Sequence, residues 1–172
     1  ACWHHPLTPV CYLMFSACGG SVAFLTMLAL FGQASPGILT EITLAFLIGA
    51  WILKYAWWWA LDNRGSASNL ETATGLGMIG KVRSLMPPHT SENYLQKEMG
   101  FVVARRHAIK LRYISIFFGA LLPIVCVIFG GSSAGILSMA TIFHIIGIFV
   151  ERWLFFAEAK HVVTLYYGDE QL

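Results

Sequence analysis

The chain has 172 residues, 57% of them apolar and only 12% charged, with a net charge of +2. An ordinary soluble domain carries about 45–50% apolar and about 25% charged residues, so this composition excludes one and calls for lipid as the surrounding solvent. The charge is also unevenly spread: eight of the eleven Lys and Arg lie between Arg64 and Arg112, and stretches 10–31 and 113–150 have no charged residue.

The opening Ala1-Cys2-Trp3-His4-His5-Pro6 has no basic leader and no small-residue cleavage site, so it is not a secretory signal. It reads as the interior of a longer chain, and the sequence is expected to be a carboxy-terminal portion of a membrane protein. A first membrane helix is predicted over 9–31, with Pro9 in its first turn. At 1.5 Å per residue, its length exceeds the roughly 30 Å hydrocarbon core. Cys18-Gly19-Gly20-Ser21 gives it a small face that a neighbouring helix can approach closely. The break Gly32-Gln33-Ala34-Ser35-Pro36-Gly37 supplies a cap at Ser35 and a helix-starting Pro36.

A second helix is predicted over 37–61. Trp51, Lys54, Tyr55, Trp57, Trp58 and Trp59 crowd its inner half. Such a cluster reads as an interfacial aromatic belt, with Lys54 snorkelling to the headgroups. From 62 to 111 the sequence turns polar. Pro87-Pro88 breaks any helix there. Beyond Thr90-Ser91-Glu92, the residues Met99, Val102 and Val103 recur at helical spacing before Arg105, Arg106 and His107. An amphipathic surface helix is the expected form.

The uncharged stretch 113–150 is too long for one span. Gly130-Gly131-Ser132-Ser133-Ala134-Gly135 divides it into helices over 112–129 and 134–156, with Pro123 expected to kink the first. The pattern of the last helix continues through Glu158, Lys160 and His161 toward Tyr166-Tyr167, with Gly168 as a stop. The fold class is therefore an all-α integral membrane protein: one four-transmembrane-helix bundle with a long loop containing an amphipathic helix. The segment from Asp62 to Arg112 holds eight basic and four acidic residues. The positive-inside rule places it and both chain ends in the cytoplasm.

Few residues point to chemistry. Cys2, Cys11, Cys18 and Cys126 have no metal-ligand spacing, and Cys11 and Cys18 share a helix face as packing residues. Gly75-Leu76-Gly77-Met78-Ile79-Gly80 spells a dinucleotide fingerprint, but that motif needs a preceding strand, and here a membrane helix precedes it. His144 alone among the histidines lies inside a span, and there is no CxxCH, so a bis-histidine haem site is not expected. No nucleophile with a base, no metalloprotease motif and no phosphate loop appears.

His144, Glu151 and Glu158 recur every seven residues and so share one helix face. Intramembrane ionisable groups mark proton, ion or quinone sites. With Lys54 and Arg152 they form the candidate quinone or proton set. The alternative is structural: His144 hydrogen-bonded within the bundle, and Glu151 paired with Lys54 or Arg152.

The runs Glu71-Thr72-Ala73-Thr74-Gly75-Leu76-Gly77, Gly80-Lys81-Val82-Arg83, Pro87-Pro88-His89-Thr90, Glu92-Asn93-Tyr94 and Lys97-Glu98-Met99-Gly100 look like one signature loop. Together with 151–161 and Trp3-His4-His5-Pro6-Leu7-Thr8-Pro9, this loop resembles that of the dimethyl sulfoxide reductase membrane-anchor subunits. The branch that anchors cytoplasmic sulfite dehydrogenases is the nearest in pattern, and the chain resembles the family's carboxy-terminal half.

The resemblance implies a non-catalytic subunit in a bacterial inner membrane, without haem. Such a subunit holds an iron-sulfur subunit and a molybdopterin catalytic subunit at the membrane and exchanges electrons with quinone. Nucleic acid is not an expected partner. Lys81, Arg83, Pro87, Pro88, His89, Tyr94, Lys97, Arg105 and Arg106 are the partner-docking candidates. Attraction of the same cations to anionic lipid is the competing reading. Half of a small-solute transporter and a purely structural anchor are the rival functions.

Overall fold

The structure, a computed structural model, describes residues 5–63, 69–83, 85 and 106–158. Helix α1 runs Leu7–Leu30 and α2 runs Gly37–Asp62. Helix α3 is a short turn at Leu70–Thr74, followed by a 3-10 turn at Leu76–Met78. Helix α4 runs Ala108–Gly130 and α5 runs Ala134–Ala157. No strand occurs among the described residues. The four long helices are each apolar and long enough to cross a membrane.

The helix ends have local causes. Helix α1 starts two residues before Pro9 because proline's missing N–H falls among the first four, which have no intrahelical acceptor. Gly32 and Gly131, at φ +69° and +52°, make the reversals after α1 and α4, where a side chain would be strained. Helix α4 begins four residues before the predicted boundary, at Ala108 rather than 112. Hydropathy places Lys110 outside the span and Arg112 at its edge, whereas ion pairs draw Arg112 and the turn before it onto the bundle.

Helices α1, α2, α4 and α5 alternate in direction and form a ring in the order α2, α1, α5, α4, with α2 meeting α4 mainly along Phe117–Gly130. Small and branched residues fill the centre, including Cys18, Val22, Leu25, Leu47, Ala50, Leu137 and Ala140. Large apolar residues such as Leu13, Phe24, Ile52, Phe129 and Phe149 point outward. Lipid is the solvent that suits that outer surface. With little hydrophobic drive between helices in lipid, side-chain hydrogen bonds supply adhesion. Trp57 Nε1 donates to Thr8 Oγ1 at 3.0 Å, joining α2 to α1. The Thr26 hydroxyl donates to the Leu137 carbonyl at 2.8 Å and lies 2.8 Å from the Thr141 hydroxyl, joining α1 to α5.

Between α2 and α4, residues 69–83 contain α3, whose cap Asn69 and Thr72 bond each other's backbone reciprocally. Gly75 ends α3 in the left-handed region at φ +69°. The glycine run is therefore a helix stop and turn, with no strand before it among the described residues. The predicted amphipathic helix lies outside the described residues.

Candidate functional site

The predicted kink at Pro123 takes a specific form. Proline has no N–H and its ring crowds the carbonyl four residues back, which is that of Gly119. A π turn at Phe117–Leu121 absorbs the crowding. The carbonyl of Gly119 then turns to side chains: Trp51 Nε1 donates to it at 3.0 Å and His144 Nδ1 at 2.8 Å. That donation fixes the tautomer of a neutral His144, leaving Nε2 as a bare lone pair. Among the described residues Nε2 has no hydrogen-bond partner, and it faces Gly19 of α1. The ring is only 4% exposed.

Glycines make this crossing possible. A Cβ on Gly147 would overlap the backbone N and Cα of Gly119, and a Cβ on Gly119 would overlap the Trp51 ring. Helices α4 and α5 thus touch backbone to backbone at the π turn. The small face predicted on α1 contributes less: Cys18 is buried and Gly19 meets only His144, while Gly20 is open.

Two helical turns along α5, about 10 Å away, lies Glu151, which is 0% exposed. Its Oε1 is 2.5 Å from Lys54 Nζ of α2, and its Oε2 accepts from Arg152 Nε. Lys54, at 1% exposure, does not snorkel. Its ammonium lies 3.6 Å from the Trp57 ring centre, 5.1 Å from Trp58 and 5.3 Å from Phe155. The Arg152 guanidinium lies 4.1 Å from Tyr12, with Phe155 and Phe15 slightly farther.

The interfacial-belt reading is therefore corrected. Trp51, Trp57 and Trp58 face inward and only Tyr55 and Trp59 are exposed. The physical reason is the buried carboxylate across the bundle, which offers Lys54 a partner that water and headgroups would otherwise supply. Two cations against one anion leave a net positive centre, and the negative ring faces help to balance it.

A second cluster sits at the same end of the bundle. Arg112 of α4 forms a fork with Asp62, the last residue of α2, through Nη1–Oδ2 at 2.5 Å and Nη2–Oδ1 at 2.9 Å. The same guanidinium donates from Nε to Glu158 Oε1 at 2.9 Å. Glu158 lies just past α5, and burial pushes its carboxyl above the ordinary value against the pull of Arg112. The two clusters have opposite net charges. Beside Arg112 a cleft of about 200 Å³ opens between α2 and α4, walled by Tyr55, Trp58, Trp59, Ile109, Tyr113 and Ile116.

The structure thus brings together four of the five proton or quinone candidates, Lys54, Glu151, Arg152 and Glu158, at one end of the bundle, with His144 deeper on the same face of α5. Of the docking candidates, Lys81, Arg83 and Arg106 are exposed. Pro87, Pro88, His89, Tyr94, Lys97 and Arg105 lie outside the described residues. The sequence reading missed Asp62, Arg112, Tyr12, Gly119 and Gly147. One signal was available for Asp62 and Arg112, since each is the charged residue nearest an apolar span. Chemically, Glu151 is a hub whose protonation would release two cations at once, and His144 Nε2 is a buried base. Compared with known protein families, curated proteins and solved structures, the chain matches none.

Proposed function

We propose that this chain is a membrane-anchor subunit of a molybdopterin and iron-sulfur oxidoreductase, of the dimethyl sulfoxide reductase kind. An iron-sulfur subunit docks on the cytoplasmic segment between α2 and α4 and exchanges electrons with the quinone pool, while substrate chemistry takes place on the molybdopterin subunit. The observation that carries this reading is the Asp62–Arg112 pair. These residues stand fifty apart in sequence and close the neck of the segment whose runs resemble the family's signature loop. A loop that merely joined two helices would need a few residues. A docking platform needs length and a fixed base, and the forked ion pair supplies the base. The positive excess of the segment supports both its cytoplasmic placement and an acidic partner.

In this reading the column Glu158, Glu151, His144 carries the protons that quinone reduction takes up and quinol oxidation releases. Glu158 is the entry, Glu151 the switch between two cations, and His144 Nε2 the innermost acceptor. Glu151→Gln is then expected to slow quinone-linked turnover while leaving substrate turnover with a soluble electron acceptor unchanged. Equal turnover of the variant and the parent with quinone would remove the proton role.

The assembly is tested by purifying the full-length subunit from native membranes in mild detergent and assaying its companions for molybdenum and iron. Co-purifying molybdopterin and iron-sulfur proteins support the anchor. A subunit that arrives alone and metal-free overturns it.

A further inference from the structure

We propose that the cleft between α2 and α4 binds the headgroup of an ethanolamine phospholipid. The proposal is independent of the redox reading and rests on the cleft's shape and charge.

The ring of helices is closed on three sides, and on the fourth α2 and α4 pack mainly from the π turn onward. At the charged end they are bridged by the Asp62–Arg112 pair, and beside it lies the cleft of about 200 Å³. It lies where α2 ends and α4 begins, at the depth of lipid headgroups. Three exposed rings, Tyr55, Trp59 and Tyr113, stand at its rim. Ring faces attract ammonium groups.

The carboxylate of Asp62, 56% exposed, lines the same cleft. Each of its oxygens takes one hydrogen bond from Arg112, which leaves a second acceptor position on each. Asp62 and Glu158 together outnumber Arg112 by one charge, so the local excess is negative and suits a cation. The buried positive centre at Lys54 lies inside the bundle, with the Trp58 ring within 5.1 Å of Lys54 and 5.3 Å of Arg112.

The requirement for a zwitterion comes from the rim. Lys110, exposed and three residues before Tyr113 on α4, and Arg106 just ahead of that helix offer cations to a phosphate. Below the rim, the exposed Ile52 of α2 and the half-buried Ile116 of α4 continue the groove toward the bilayer centre, where an acyl chain lies. A primary ammonium donates to Asp62 as well as stacking on the rings. A trimethylammonium can only stack, so ethanolamine is preferred to choline. An anionic headgroup without an amine meets Asp62 unfavourably.

The test uses the full chain reconstituted in nanodiscs of equimolar phosphatidylethanolamine, phosphatidylcholine and phosphatidylglycerol, released into detergent and weighed by native mass spectrometry. Phosphatidylethanolamine is expected to be retained about ten-fold over phosphatidylcholine, as a charge-assisted hydrogen bond to Asp62 implies. Asp62→Asn is expected to abolish that preference, and Trp59→Leu with Tyr113→Leu to lower the retention of both zwitterionic lipids, each in protein of unchanged helicity. Equal retention of phosphatidylethanolamine and phosphatidylcholine, preference for phosphatidylglycerol, or undiminished retention of both zwitterionic lipids by the folded ring variant would overturn the proposal. The comparison among lipids on the unaltered chain decides the matter even if a variant fails to fold.

Discussion

Glu151 is held between Lys54 and Arg152 where water cannot reach, so its removal differs from that of a surface charge. Glu151→Gln leaves two cations facing each other among aromatic rings, and an orphaned buried charge costs about 3–5 kcal/mol. Lys54→Met together with Glu151→Gln leaves only Arg152, which keeps its ring contact with Tyr12, and should recover much of that loss. Denaturant titration of the parent, the single and the double variant in detergent measures it, and a double variant as unstable as the single one would show that the pairing contributes little. Glu158 behaves differently because it sits past the helix end. Its folded carboxyl holds a proton more tightly than the unfolded one, so its contribution to stability is full below the ordinary value of 4.5 and is lost as pH rises through the raised folded value. Glu158→Gln lacks that loss, so its unfolding temperature relative to the parent should climb with pH across this window. A constant difference would contradict the burial of Glu158.

The same logic at the scale of helices turns on the π turn of α4. Gly147→Ala and Gly119→Ala push a methyl into backbone or ring and should each cost about 1–3 kcal/mol or more, whereas Gly19→Ala meets His144 at an ordinary 3.6 Å and should be tolerated. Equal effects at all three positions would refute the backbone contact. A double-mutant cycle tests why the turn exists. Trp51→Phe removes a donor from the Gly119 carbonyl at about 1 kcal/mol, but in a Pro123→Ala background the new N–H of residue 123 takes that place and the cost should shrink. Additive losses would detach Pro123 from the π turn. Pro123 announced a kink in the sequence because its chemistry is local. The Gly119–Gly147 contact was not legible, since glycine is common in membrane helices and its meaning depends on a partner twenty-eight residues away. The seven-residue column on α5 was legible because helical periodicity alone aligns it. Lys54 was misread because its position beside tryptophans near the end of an apolar run is what an interfacial lysine also looks like, and Glu151, which decides otherwise, comes ninety-seven residues later.

For the whole molecule, four alternating helices put the turns at Gly32 and Gly131 at one end and the two ion clusters at the other. The spans were legible to within a few residues because length and hydropathy suffice for them, but which faces meet was not, because the ring order depends on side chains distant in sequence. The charge bias predicts a direction for the bundle. Lys81 and Arg83 are exposed and belong to the basic segment, while the reversals after α1 and α4 have no basic residue. The native thiols Cys11 and Cys18 are buried and Cys126 is half-buried, so a cysteine introduced at an exposed site gives a clean signal once Cys2 is replaced. Arg83→Cys should react with a membrane-impermeant maleimide only after cells are opened, and Gln33→Cys should react in intact cells. The opposite pattern would invert the bundle, place the basic segment outside, and remove the surface on which the proposed cytoplasmic iron-sulfur partner would dock. Labelling of Arg83→Cys should also fall when that partner is bound and recover when it is stripped, which separates a correct orientation from a correct partner.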